Sequence, residues 1–400
     1  MEVPSIPHVF DQSNPKDSVV KLVTYLFPEY KSKDGSHDDI EVTVVTEGTT
    51  NGLFKVTNHS RGNQSLADND TVNAALVKIY GEGTETLIDR EKEINFHTIL
   101  SDHNLAPSLL VRFSNGHAYQ YLPGKPCPVT GVTEERIWRG VARELAQWHA
   151  ILPAAKFNLE SDNDGVKSVL DHKPNIWSTA KRWLEAIPEG TGQEKAQKER
   201  LRSDFEHLVH RLRPGDEAKK HHFVLGHGDL LSGNIIIQDS VKDAMGHDVE
   251  TVKFIDYEHS TYCPQAFDLA NHFSEWTGFN CDYNLLPTAS TRREFIREYL
   301  CSYQNATKQP STEGDKLEVF EEEVSRLLSE VDNYRGFPGF YWGLCAVIQT
   351  HASTGSIDFD YAGYAELRFA EYRAWREEED GTRAANGKDI PLREVKWATA

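Results

Sequence analysis

Three oxygen-bearing side chains stand out by type and spacing. In HGDLLSGN (227–234), Asp229 and Asn234 lie five apart across a short glycine-containing loop that runs into the apolar stretch III. That spacing lets a carboxylate and an amide oxygen converge. Asp256 ends a second apolar run, VKFID, so a strand paired with the first would aim another oxygen at the same place. Phosphoryl transfer asks for such a set: a group that orients the attacking hydroxyl and accepts its proton, and oxygen ligands that hold Mg2+ against nucleotide phosphates. Asp229 suits the first task; Asn234 and Asp256 suit the second.

Such convergence requires a hairpin, and the chain supplies one. HFVLGHGDLLSGNIIIQD (222–239) and ETVKFIDYEHS (250–260) place two apolar β runs around the turn-rich DSVKDAMGHDVE, with polar residues just before the first run and just after the second. Upstream, EVTVVT (41–46), LFKV (53–56), AALVKIYG (74–81) and HAYQYLPG (117–124) alternate like strands, with one helix over 89–103 and a polar hairpin connection over 58–71. From 133–152 the pattern turns mostly helical, with Ile137, Val141, Leu145, Trp148 and Leu152 on one face. The charged stretch 189–220 predicts one amphipathic helix with solvated ends, to which no chemistry is assigned. Residues 265–376 read as helical and aromatic, with Val319, Val324, Leu327, Leu328 and Val331 as a core stripe, and the tail 376–400 reads as loosely ordered. There is no internal repeat. The class is α+β, with a small β-rich lobe over 1–123 and a larger, mainly helical lobe over 124–400.

Composition narrows the partners. Lys and Arg number 43 against 62 Asp and Glu, a net charge of −19, which repels nucleic-acid phosphates and anionic membranes and attracts small cations. A hydrophobic share of 38% excludes disorder throughout. The five cysteines (127, 263, 281, 301 and 345) are scattered, with no C-x-x-C pair, so neither a disulfide framework nor a zinc site is expected. The N-terminal stretch lacks a basic segment followed by an apolar one, and the most apolar window, FPGFYWGLCAVIQ (337–349), is too short to cross a bilayer. A cytoplasmic protein without stable membrane insertion is expected.

The pattern His-x-Asp-x-x-x-x-Asn followed by hydrophobic-Ile-Asp-Tyr-Glu resembles that of small-molecule kinases built like eukaryotic protein kinases. HGDLLSGNIII, FIDYEHSTYCPQAFDLANHFSEW and YWGLCAVIQTHASTGSIDFDYAGYAELRF together resemble the choline/ethanolamine kinase family, and are most like its ethanolamine kinases. EGTTNGLFKV (47–56), VKIYG (77–81) and DREKEINF (89–96) extend the likeness from about residue 40 to 375. The resemblance implies a bilobal protein-kinase-like fold, the use of ATP and Mg2+, and transfer of the γ-phosphoryl group to an amino alcohol. The product would be phosphoethanolamine, opening the CDP-ethanolamine route to phosphatidylethanolamine. Choline or dual-specificity kinases are the alternative, and aminoglycoside phosphotransferases lie further off. A pseudokinase scaffold is the reading from another class, against which intact Lys78, Asp229, Asn234 and Asp256 weigh. A homodimer is left open.

By motif match, Asp229 is the base and Asn234 and Asp256 bind Mg2+. Lys78 reaches the nucleotide phosphates, held by Glu93, with Glu91 as the other choice; Asn51, in the segment 47–52, lies near those phosphates. Gln120 to Leu122 contact adenine, and Asp268 accepts hydrogen bonds from the catalytic-loop backbone. The amino alcohol is assigned to Glu275, Trp342, Tyr364 and His259, while Trp276 and Tyr361 are assigned to the core. A primary ammonium donates three N–H bonds and prefers carboxylates; a trimethylammonium head depends on aromatic faces. His259 stands where choline kinases usually carry a tyrosine, and Cys345 where they carry a second tryptophan, so the cage looks depleted and ethanolamine is favoured. Gly228 stands where relatives often carry asparagine, a departure that bears on the loop's geometry. His227 and His149 are assigned packing roles, and Cys345 is read as a small buried hydrophobe.

Overall fold

The computed structural model describes residues 3–30, 36–45, 51–59, 73–151, 175–212, 223–243, 245–307, 321–352 and 359–400. Residues 47–50 of the predicted phosphate loop, 60–71 of the polar connection, Leu152, 213–220 and Val319 lie outside the described residues. The chain divides into two compact units, one of residues 1–85, 89–125 and 352–359, the other of 86–88, 126–351 and 360–400.

The first unit is built on a six-stranded sheet. From one edge it runs Ser5–Ile6, Leu109–Phe113, Gly116–Gln120, Ala74–Ile79, Gly52–Asn58 and Ile40–Val45. The edge strand Ser5–Ile6 is parallel to its neighbour and the other pairs are antiparallel. Ala74–Ile79 lies inside the sheet and is buried along its whole length. Ala75, Val77 and Ile79 join Phe10, Val19, Leu22, Phe54 and Val56 in one apolar cluster. Strand side chains alternate, so Lys78 is turned to the opposite face, and a slip of one residue would sink its ammonium into that cluster. Helix Arg90–Asp102 is capped by Asp89, whose side chain accepts from the Lys92 N–H at 3.0 Å. Sequence reasoning missed the short helices Pro15–Val20 and Val23–Leu26 and the strand Leu109–Phe113. The two helices are six and four residues long, too short to show a helical period.

In the second unit, helix Glu135–Ile151 buries Ile137, Val141, Leu145 and Trp148, the predicted face. Strands Ile235–Lys242 and Asp248–Phe254 form the expected antiparallel hairpin, with Ile235 opposite Phe254. A second ladder pairs Phe223–Gly226 with Thr261–Pro264, Gly226 opposite Thr261. Loops 227–234 and 255–260 are therefore bracketed at both ends by paired strands, which brings the two polar stretches side by side. Behind them, all eleven residues of helix Gln265–Glu275 are buried.

Helix Phe337–Ala352 packs against helix Tyr361–Glu379 through glycines. A Cβ on Gly339 would lie 2.6 Å from the Arg368 carbonyl oxygen, and one on Gly343 would lie 2.6 Å from the Phe369 ring. Only residues without a side chain let these two helices come so close.

The tail is not loosely ordered. Helices Thr382–Ala385 and Leu392–Ala398 continue the fold, and Trp397 is buried, its Nε1 donating to Asp332 Oδ1 at 2.9 Å under the Arg292 guanidinium, 4.1 Å from the ring. The Ala289 N–H donates to the Thr399 carbonyl at 2.7 Å. One tryptophan anchors a segment whose charge density had suggested solvation. Among the described residues no helix is long and apolar enough to cross a membrane. Trp397→Ala is expected to lower the unfolding free energy by about 3 kcal/mol and to open the last fifteen or so residues to protease; an unchanged urea midpoint and digestion pattern would contradict this anchoring.

Candidate active site

Loop 227–230 is suspended from one face of the buried helix Gln265–Glu275. Asp268 accepts from the backbone N–H of His227 at 3.0 Å and of Gly228 at 2.9 Å, as the sequence suggested. One turn on, Asn271 Nδ2 donates to the Gly228 carbonyl at 3.0 Å and His272 Nδ1 donates to the Leu230 carbonyl at 2.9 Å. Sequence reasoning missed both. Their signal was positional, since 271 and 272 fall three and four residues after Asp268 and so share its face.

Protonation states follow from these contacts. Burial alone would raise the Asp268 carboxyl, but the hydrogen bond and charge of His149 Nε2, 3.0 Å away, together with the Gly228 N–H, hold it below the usual range. His149 is satisfied on both nitrogens, with Nδ1 2.7 Å from the Tyr299 hydroxyl. His227 Nδ1 accepts from the Asp229 N–H at 3.3 Å while Nε2 donates to the Ile255 carbonyl at 3.1 Å. Burial pushes that imidazole down to about 4. With both nitrogens committed and the ring neutral, His227 is a packing residue and not a second base. Gly228 has φ +78°, and a Cβ there would lie 2.4 Å from the His259 carbonyl oxygen, so glycine suits this loop where asparagine would crowd it.

Asn234 Nδ2 donates to the Asp229 carbonyl at 2.8 Å and to Asp229 Oδ2 at 3.3 Å, so Oδ1 is the atom with which Asn234 could meet a cation. The Ile255 N–H donates to the Asn234 carbonyl at 3.0 Å and sets Asp256 beside it. Asp256 has φ +65°, a left-handed conformation that costs a non-glycine residue about 1–2 kcal/mol. Asp229 is half-buried; burial, then Glu275, Asp256 and Glu258, push its carboxyl well up against the pull of the Asn234 side chain. Negative charge in excess and oxygen donors throughout suit a hard dication such as Mg2+ or an ammonium group.

Around this acidic centre, Trp342 is buried, its Nε1 donating to Asn271 Oδ1 at 2.9 Å, and the His259 ring stands edge-on to it at 5.0 Å. Burial, with Asp229 and Glu258, pushes the Cys345 thiol up, so it stays neutral. Glu275 is buried and accepts from Arg368 Nη2 at 2.8 Å, a partner the sequence did not disclose. Tyr364 is half-buried against Phe279, ring centres 5.9 Å apart. Tyr361, assigned to the core, is half-buried instead, standing at the start of its helix before the packed face begins. Trp276 is a core residue, 2% exposed.

In the first unit Lys78 Nζ meets Glu93 Oε1 at 2.8 Å, both side chains buried, and Arg90 Nη1 holds Glu93 Oε2 at 2.8 Å. Glu93 and not Glu91 is thus the partner of Lys78; the exposed Glu91 pairs with Arg112. Asn51 Oδ1 accepts from Arg90 Nη2 at 3.0 Å. Gln120 is exposed at its strand end, its N–H donating to the Ser108 carbonyl at 2.9 Å, and Leu122 is half-buried just beyond.

Residues 42–373 match the family model described as choline/ethanolamine kinase. Ethanolamine kinase 1 of Mus musculus is 30% identical over 368 residues, 89% of this chain and 88% of that protein. The ethanolamine kinase of Drosophila melanogaster is 34% identical over 312 residues, 76% of this chain, which spans about half of that protein's length, 54%. Among solved structures, an ethanolamine kinase from Plasmodium vivax matches with TM-score 0.67 at 23% identity over 91% of each chain. A choline kinase from Cryptosporidium parvum matches with TM-score 0.65 at 20% identity, covering 93% of this chain and 99% of that one. The fold is α+β and protein-kinase-like.

His272 yields a pH prediction. Its Nδ1–H donates to Leu230 and its Nε2 accepts from Trp276 Nε1 at 3.1 Å, and burial lowers it from the usual 6.5 to about 4. A histidine depressed in the folded state takes up its proton first in the unfolded chain, so stability is present above pH 6.5 and is lost as pH falls towards 4. In urea titrations across that window, His272→Gln should remove a slope of about 1.4 kcal/mol per pH unit; an unchanged slope would refute the neutral assignment.

Proposed function

This chain belongs to the choline/ethanolamine kinase family, and we propose that it transfers the γ-phosphoryl group of ATP to the hydroxyl of ethanolamine, forming phosphoethanolamine, the first step of phosphatidylethanolamine synthesis by the CDP-ethanolamine route. The observation that carries this reading is Asp229, steadied by Asn234 Nδ2 at 3.3 Å on a loop that Asp268, Asn271 and His272 hold from behind.

In this reading Asp229 orients the alcohol hydroxyl for in-line attack and accepts its proton. Asn234 Oδ1 and Asp256 are the ligands for Mg2+, which when bound supplies positive charge against that of the phosphates. Lys78, fixed by Glu93, reaches the phosphates, with Asn51 near them, and Gln120 and Leu122 contact the adenine. The ammonium end is met by Glu275 and by the faces of Trp342 and Tyr364, with His259 beside Trp342. A primary ammonium gains from Glu275 hydrogen bonds that a quaternary head cannot make, and His259 and Cys345 leave fewer rings for such a head. The net charge of −19 favours cationic substrates, and with the scattered cysteines it is consistent with work in the cytoplasm.

Asp229→Ala should lower kcat by a factor on the order of 10²–10⁴ with the thermal midpoint preserved; substantial residual turnover would refute its role. In a coupled ATP-consumption assay across ethanolamine, its N-methylated forms and choline, kcat/KM should fall with methylation. A choline preference would transfer the reading to choline kinase, and no consumption with any of these amino alcohols would remove the reading altogether.

A further inference from the structure

A guanidinium taken wholly out of water persists only where carboxylates meet it. The Arg368 side chain is 0% exposed. It belongs to the buried face of helix Tyr361–Glu379, in register with Ala365, Phe369, Tyr372 and Trp375, a face otherwise mostly apolar and aromatic. The glycine contacts at 339 and 343 bring that helix in close, with the Arg368 carbonyl oxygen at the contact itself.

The engagement of Arg368 is lopsided. Nη2 donates to Glu275 Oε1 at 2.8 Å, whereas Nη1 stands 3.5 Å from Glu371 Oε2 with neither atom hydrogen-bonded. One cation faces two carboxylates, so a single negative charge is left over, and the tight contact fixes Glu275 and not Glu371. Glu275 ends the helix whose other side chains suspend the Asp229 loop. One turn before Arg368, the Tyr364 ring centre is 5.8 Å from the guanidinium carbon. Arg368 therefore bonds one of the groups assigned to the ammonium end and lies near the ring of another, while itself wholly removed from solvent.

We propose that Arg368 is a positioning residue that sets substrate preference: by holding Oε1 of Glu275 it directs Oε2 to the amine, favouring a head group that donates N–H bonds over a quaternary one. This rests on the ethanolamine kinase reading above. The Nη2–H that meets Oε1 sits on a planar guanidinium wedged wholly inside the protein, a placement that lysine's flexible stem and rotating ammonium do not reproduce. Glu275 then binds an ammonium through a directed hydrogen bond. Choline cannot use that direction and depends on Trp342 and Tyr364 instead.

The test is steady-state kinetics of wild type and Arg368→Lys, with ethanolamine, choline and ATP varied in turn and choline read as a competing inhibitor if it is not turned over. The expected result is an ethanolamine KM raised about tenfold, with kcat and the constants for choline and ATP within about threefold. In a Glu275→Gln background the same change should add no more than about twofold, since Arg368 acts through that carboxylate. Glu371→Gln is the second variant: it leaves the guanidinium to Glu275 alone, cancels more of that charge, and should raise the ethanolamine KM about threefold. An unaltered ethanolamine KM in both variants, equal rises for ethanolamine, choline and ATP, or additivity with Glu275→Gln overturns the proposal. A wild type inactive on ethanolamine overturns both readings, whereas an active wild type with unaltered variants overturns this one alone.

Discussion

A carboxylate removed from water has to be met by donors on every side, and Asp268 meets that demand with the N–H groups of His227 and Gly228 and with His149. Two of those donors belong to the backbone of the loop that carries Asp229, so satisfying a buried charge and shaping the loop are one event. His149 is held in turn by Tyr299, whose hydroxyl accepts from Gln265 Nε2 at 2.6 Å. The loop's conformation is therefore dictated from behind, by a helix with no exposed residue. The loop needs little local rigidity of its own, and Gly228 can occupy a conformation that most residues avoid.

The electrostatics of the second unit point the other way. Beside the loop, Asp229, Asp256 and Glu258 bring like charge together, which low dielectric makes expensive. The strain at Asp256 belongs with this, since an aspartate is held at positive φ where its strand ends. Elsewhere buried charges meet opposite ones, Glu93 with Lys78 and Arg90, and Arg368 with Glu275 and Glu371. Opposite charges brought together inside thus help to fix geometry.

Legibility in the sequence followed the strength of the local signal. The hairpin carrying Asn234 and Asp256 could be read because apolar strands with polar ends have a two-residue period, and the spacing of Asp229 and Asn234 survives any reasonable loop. Residues 3–30 and the strand Leu109–Phe113 were not read, because short elements reveal their burial only through distant partners. Asn271, His272 and Arg368 were hidden for a related reason: a polar residue on a helix is ordinarily taken as solvated, and nothing nearby in the chain announces that helix Gln265–Glu275 is buried all round. Tyr361 failed in the opposite sense, as an aromatic at a helix start that the core does not reach. The tail misled because its charges outnumber Trp397, although Arg383, Arg393 and Glu394 are buried with it.

The close approach at Gly339 and Gly343 has a bearing on how substrate range could drift among relatives. A methyl group at either glycine would lever helix Tyr361–Glu379 outward and carry Arg368 and Tyr364 with it, leaving every residue proposed above to meet the amino alcohol unchanged in identity. Selectivity in this architecture can then be retuned by wedges placed a layer below the binding surface, where comparison of contact residues alone would register no difference.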